Sequence, residues 1–185
     1  MVTSTDHINA IDVPALAATV AAVQEDPAKA RVAFKVGTIW EGQTRSRSVV
    51  ESYELAGQSI PRSFEIIADE PVELLGQNSA PNPQELLMSA INACMIVGYA
   101  ANASLRGIAL TKLEIEMRGE LDLRGFLGLD DSVKPGYHEV DYVVRISGNG
   151  TPEQFEEIHR AVQKTSPNFF NLNSAVGMNP TLEVI

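Results

Sequence analysis

The chain has 185 residues, 24 acidic against 14 basic side chains, a formal net charge of -10 and one cysteine. Its 44% hydrophobic and 21% charged content suits one well-buried core and excludes a disordered chain. Scattered basic residues and net acidity exclude a nucleic acid or an anionic membrane as partner, because either needs a basic patch. A single cysteine excludes an internal disulfide. The first ten residues lack the basic and apolar regions of a signal peptide, and no apolar stretch is read as approaching the roughly 20 residues that cross a bilayer. The expected setting is a reducing cytoplasm.

Residues 1–10 are polar and expected to fray. Asp12 to Gln24 is Ala-rich, with Asp12 placed to cap and Pro14 near the first turn, which predicts a short helix. Residues 1–29 are therefore an N-terminal extension and residues 30–185 the main domain. From Ala30 the period changes to two. Val32, Phe34, Val36 and Ile39 predict a strand ending at Trp40-Glu41-Gly42, Arg45–Leu55 a second and Ser63–Ala68 a third, joined as an antiparallel meander.

Ala80 to Leu105 reads as one long helix. Asn82 as cap, Pro83 at the first position and Glu85 three residues after the cap form a complete start signal. Leu87, Ala90, Ile91, Cys94, Val97, Ala101 and Leu105 recur at helical steps and predict the buried stripe, and Gly107 ends the helix. The other face, with Ser89, Asn92, Met95, Gly98 and Tyr99, is also poor in charge, so burial on most sides is expected.

After it, Thr111–Leu123 alternates Leu113, Ile115 and Met117 against charged residues and predicts a strand with one wet face. Residues 124–136 form a glycine- and proline-punctuated loop that carries Phe126, Leu127 and Leu129. Tyr137–Ser147 predicts another strand. Thr151, Pro152 and Gln154 open a second amphipathic helix with Phe155, Ile158 and Val162 as its core stripe. Ser166-Pro167 stops it, Asn168–Pro180 reads as irregular, and Thr181–Ile185 as a last short strand. The order β-β-β-α-β-β-α-β behind a leading helix predicts an α+β fold with antiparallel sheets.

Trp40-Glu41-Gly42, the helix opening PNPQELLMSAINAC and the later LDLRGFLGLD together resemble the osmotically inducible protein C / organic hydroperoxide resistance (OsmC/Ohr) family, in its OsmC-like branch, from about Val32 to Ile185. The resemblance implies antiparallel sheets packed around a long central helix in an intertwined homodimer, with active sites at the interface. It also implies reduction of small organic hydroperoxides by a reactive cysteine, a resolving cysteine and an arginine–glutamate pair, with no cofactor. Cys94 matches the reactive cysteine. Ser166, before Pro167, stands where the resolving cysteine is expected, so an external thiol reductant is implied. Gln84 stands at the glutamate position, ten residues before Cys94. Glu85 is adjacent, but one residue turns a helical side chain by ~100°. Arg62 in PRSFEI resembles the arginine, with Arg45 and Arg47 as alternatives.

The residues set the terms for that chemistry. Only a thiolate attacks the O–O bond well, and apolar surroundings disfavour the anion. The helix start is ~18 Å from Cys94 at ~1.5 Å per residue, beyond the reach of its dipole. A guanidinium from elsewhere must help, and arginine stays charged. The contrasting reading makes Cys94 a structural thiol in a non-catalytic protein that binds a small apolar ligand. Glu85 reads first as a capping acid. Phe169 and Phe170 line the Cys94 pocket or close the core, the second being favoured. The histidines have neither the spacing nor the partners of a metal site.

Overall fold

Asp12 caps the leading helix as its position predicts, its carboxylate accepting the Ala15 N–H at 2.9 Å. The computed structural model describes residues 6–185, so the first half of the expected frayed start lies outside the described residues. The remainder of that start forms a small hairpin, β1 (His7–Ile8) and β2 (Ile11–Asp12), ahead of α1 (Val13–Glu25). The chain then divides into two units, one up to Ser89 and one from Ala90 to Ile185.

In the N-terminal unit, β3 (Val32–Phe34) and β4 (Gly37–Trp40) pair in succession with one edge of β5 (Ser46–Leu55), and β6 (Gln58–Ala68) takes the other edge. The first predicted strand is thus broken in two. The break stands opposite a dislocation of the β5–β6 register between Val50 and Ser52, where Arg62 and Ser63 on β6 stand against Glu51 alone on β5. Register sets Val32, Phe34, Tyr53 and Ile60 on one face, and beyond the bulge it sets Phe64 opposite Val50 and Ile66 opposite Ser48, with Arg47 and Glu65 on the other side from them. The apolar face is open: Phe34 is 71% exposed, and Val32, Phe64 and Ile66 are exposed with it.

The connection from β6 to the next helix is pinned by Asp69, which is fully buried. One oxygen accepts from Thr44 Oγ1 at 2.8 Å and the Glu70 N–H at 2.9 Å. The other accepts from Ser79 Oγ at 2.7 Å and from the N–H groups of Ser79 and Gln77 at 3.1 and 3.2 Å. These donors, Ser79 first, hold the carboxyl well below its usual range. Inside the loop a Cβ at Gly76 would sit 1.8 Å from the Glu70 carbonyl oxygen, so only glycine fits.

The long helix, α2 (Pro83–Leu105), begins with the predicted reciprocal cap: Glu85 N–H donates to Asn82 Oδ1 at 2.8 Å, and the Asn82 N–H donates to the Glu85 carboxylate at 2.9 Å. It ends on left-handed Gly107, whose N–H reaches the Ser104 carbonyl at 3.0 Å. With 23 residues and a mean hydropathy of 1.5 over its most apolar window, α2 is long and apolar enough by length and composition to cross a membrane, which corrects the expectation that no stretch approaches that size. One face of it packs on the core. Ile91, Met95, Tyr99 and Ala103 are buried against Ile108, Ile158 and Val162.

Of the predicted stripe only Ile91 is buried; the rest of the buried face is Met95, Tyr99, Ala103 and Ser104. Leu87 and Leu105 are exposed, and Val97 is 68% exposed. A helix apolar on every side gives periodicity nothing to choose with. Close approach made the choice here: a Cβ on Gly98 would lie 3.2 Å from Val162 Cγ2, so that face meets the second long helix.

In the C-terminal unit, β7 (Leu110–Gly119) and β8 (Val140–Gly148) pair antiparallel, setting Leu113 opposite Ile146, Ile115 opposite Val144 and Met117 opposite Tyr142. These six pack on the core. Between the strands the predicted loop holds a one-turn helix, α3 (Leu123–Phe126), capped by Asp122. Helix α4 (Pro152–Thr165) carries the predicted capping box, and Ile158 and Val162 are fully buried. Asn168 is not irregular: α5 (Pro167–Asn173) starts immediately, because Ser166-Pro167, which stops α4, is also a cap followed by proline at the first position. Thr181–Ile185 forms no strand, and Leu182 and Val184 are exposed. Alternation makes a strand only where a ladder is there to join.

Candidate functional site

Cys94 projects from α2 one residue before the fully buried Met95 and is itself half-buried. The junction of α4 and α5 is tied to it twice. Ser166 Oγ lies 3.4 Å from Cys94 Sγ, and Asn168 Nδ2 donates to the Ala90 carbonyl, one turn before the cysteine, at 2.9 Å. Ser166 is only 5% exposed and its Oγ also accepts the Phe169 N–H at 3.4 Å. Cys94 and Ser166, 72 positions apart, are thus brought into contact.

The two phenylalanines after Ser166 separate. Phe169 packs on the core and meets the Tyr142 ring edge-on at 6.2 Å, whereas Phe170 is exposed. Phe169 also joins Ile91, Met117, Tyr142 and Leu172 around a cavity of about 240 Å³, with His138 and Asn173 among its polar lining.

The three candidate arginines differ in what they already hold. Glu41 receives Arg47 Nε at 2.7 Å and Arg45 Nε at 3.1 Å. Arg47 also reaches Glu65 at 3.1 Å and Arg45 donates to Ser79 Oγ at 2.8 Å. Arg47 foremost, then Arg45, keeps the Glu41 carboxyl below its usual range, and Glu41 raises Arg47 in turn. Arg62 has no carboxylate within ion-pair distance among the described residues. Its guanidinium lies over Phe64 at 4.8 Å and Tyr53 at 5.6 Å from the ring centroids. It stands at the β-bulge, and these two ring contacts place it beside the exposed apolar side chains of the sheet. Gln84 is half-buried in the first turn of α2, and the carboxylate of Glu85 is engaged in the cap.

Sequence reasoning passed over a second buried pair. The hydroxyl of Tyr99 is hydrogen-bonded to His159 Nδ1, although the residues are 60 apart. Burial, with Tyr142 nearby, holds that phenol above its usual range. Gln163 Nε2 donates to the Tyr142 hydroxyl at 2.8 Å. The only sequence signal was a tyrosine amid apolar residues, whose buried hydroxyl requires a partner. Among the described residues no group of three or more His, Cys, Asp or Glu side chains could hold a metal ion.

Comparison with known proteins gives this arrangement a relation. The sequence profile described as OsmC-like protein matches residues 76–180. No curated protein sequence matches. Among solved structures, an OsmC-like protein from Mycoplasma pneumoniae is similar at 18% identity, with 76% of this chain and 86% of that one covered and a TM-score of 0.57. An OsmC-like protein of unknown function from Vibrio cholerae O1 is similar at 14% identity, with 74% and 90% covered and a TM-score of 0.52. An OsmC-like hydroperoxide resistance protein from Jannaschia sp. CCS1 is similar at 17% identity, with 83% and 93% covered and a TM-score of 0.45. The fold is α+β and OsmC-like. Since the profile spans more than half of the chain, including the helix that carries Cys94 and the turn that carries Ser166, the protein belongs to the OsmC-like family.

Proposed function

We propose that the protein is a homodimeric, cytoplasmic thiol peroxidase that reduces organic hydroperoxides through Cys94, with an external thiol as reductant. The observation that carries this reading is the setting of the sulfur: half-buried, with a hydroxyl on Sγ, rather than walled in by hydrocarbon. In the reaction the thiolate attacks one peroxide oxygen, the O–O bond breaks, and the alkoxide leaves as an alcohol after taking a proton. Cys94 is left as a sulfenic acid.

The guanidinium for this step is Arg62. Arg45 and Arg47 are engaged with Glu41, and Arg47 also with Glu65, while Arg62 lies over two rings and is free to meet an anion. Gln84, an amide where the family has an acid, orients by hydrogen bonding without adding charge. A second copy supplies the missing cover. The sheet face bearing Arg62 and the Leu87–Val97–Leu105 edge of α2 are apolar surfaces left exposed in one chain, and such surfaces mark interfaces.

The test uses cumene hydroperoxide. Wild type should gain one oxygen by mass and Cys94→Ser none. Arg62→Ala should slow peroxide consumption at least tenfold, about 1.4 kcal/mol of barrier, while Arg47→Ala changes it little. Absence of the oxygen in wild type would overturn the peroxidase. The second reading, a non-catalytic protein holding a small apolar ligand, would then be favoured by the cavity at Phe169.

A further inference from the structure

We infer that Ser166 is a positioning residue of the Cys94 site, holding the sulfur as an anion when it attacks and again when it is released; this rests on the peroxidase reading above. A serine hydroxyl has one proton and two lone pairs. The Phe169 N–H already takes one lone pair at 3.4 Å, and Cys94 Sγ lies 3.4 Å away on the same oxygen. The hydroxyl proton is in position to be donated to that sulfur. The side chain has little freedom to turn elsewhere: Ser166 is buried, caps two helices, and the Asn168–Ala90 bond latches the junction to α2. A hydrogen bond to an ionised acceptor is roughly twice as strong as one to a neutral acceptor, so this hydroxyl favours thiolate over thiol.

The same bond acts at the other end of the cycle. The chain has one cysteine, so the sulfenic acid must be discharged by a thiol from outside. A first thiol displaces water from Cys94–SOH and forms a mixed disulfide. A second attacks the outer sulfur, and Cys94 leaves as the thiolate while the two outside thiols depart as their own disulfide. A better-stabilised thiolate is a faster leaving group. Ser166 thus serves a cycle without an internal resolving thiol, in which the reductant is a thiol from outside the chain.

The experiment compares wild type, Ser166→Ala and Ser166→Thr in two assays. The first is iodoacetamide alkylation across pH. The second is cumene hydroperoxide turnover driven by 2-mercaptoethanol. Ser166→Ala should alkylate about tenfold more slowly at pH 7, equivalent to one unit on the pH axis, with its profile moved to higher pH. Ser166→Thr, which keeps the hydroxyl, should restore both rate and profile. A role confined to helix capping would alter the urea midpoint and leave the pH profile in place. If Ser166→Ala does not fold, Ser166→Gly removes the hydroxyl at a position where glycine costs a cap little. A wild-type profile in the hydroxyl-free variant, or a threonine variant as slow as alanine, would overturn the inference. Alkylation needs no peroxide, so it decides the role of Ser166 even where wild type fails to turn over.

Discussion

Two antiparallel pairs with the same alternating pattern meet opposite fates in this protein. On β7 and β8, Leu113, Ile115 and Met117 face Ile146, Val144 and Tyr142, and that layer packs on the core formed by α2 and α4. β5 and β6 also carry the apolar Tyr53, Ile60, Phe64 and Ile66, yet Phe64 and Ile66 are exposed and the one fully buried side chain described in that unit is the acid Asp69. Period-two alternation states that a strand has a face to bury. It does not state that its own unit supplies the cover. The open sheet also carries the unpaired Arg62, so the incomplete half of the fold is the half that offers a charge.

The largest expected effect lies in the completed half. Ile158→Ala, in a site with no exposure, should lower stability by about 2–5 kcal/mol, because a cavity adds to the lost transfer energy; urea unfolding measures it. Its counterpart is Phe64→Asp. If a second copy covers the open sheet, that charge should convert a dimer to a monomer in sedimentation equilibrium, and an unchanged mass would place the seam elsewhere.

A smaller effect is expected from pH. The Asp69 carboxyl is lowered in the folded state, chiefly by Ser79. Its contribution to stability is therefore fully present above the unfolded carboxylate range near 4 and is lost as pH falls through that range toward the lower folded value. The urea midpoint of wild type should drop on acidification. Asp69→Asn should start lower at neutral pH and lose the part of that slope that belongs to this carboxyl; equal slopes would show that the carboxylate does not pin the loop. The smallest effect is at a helix start. Thr151→Ala removes the cap of α4 and should cost about 1 kcal/mol, read from the same denaturation curve.

Local signals were read well from the chain. The caps at Asp12, Asn82 and Thr151, the inward sets of β7 and β8, and the core stripe of α4 follow from hydrogen-bonding chemistry and periodicity that neighbouring residues carry. The candidate site was legible in part. The helix opening and the position of Cys94 marked the family, and that resemblance alone connected Cys94 with Ser166, 72 residues away, whereas nothing in the sequence connected Tyr99 with His159, 60 residues apart. Ser166-Pro167 was read as a stop and also proved to be a start, since the same two residue types serve both.

What the amino-acid sequence settled by itself is the three longer helices, the strands that pair in long ladders and the lone thiol placed mid-helix, because caps, turns and alternation act between near neighbours. What only the tertiary structure decided is which face of α2 is buried, which arginine is left without a carboxylate and what touches the sulfur. The physical reason is the same in each case. A helix apolar all round and three arginines close together in sequence are degenerate until distant segments pack, and packing resolved them through the fit of Gly98 to Val162 and the pairing of Glu41 with Arg45 and Arg47.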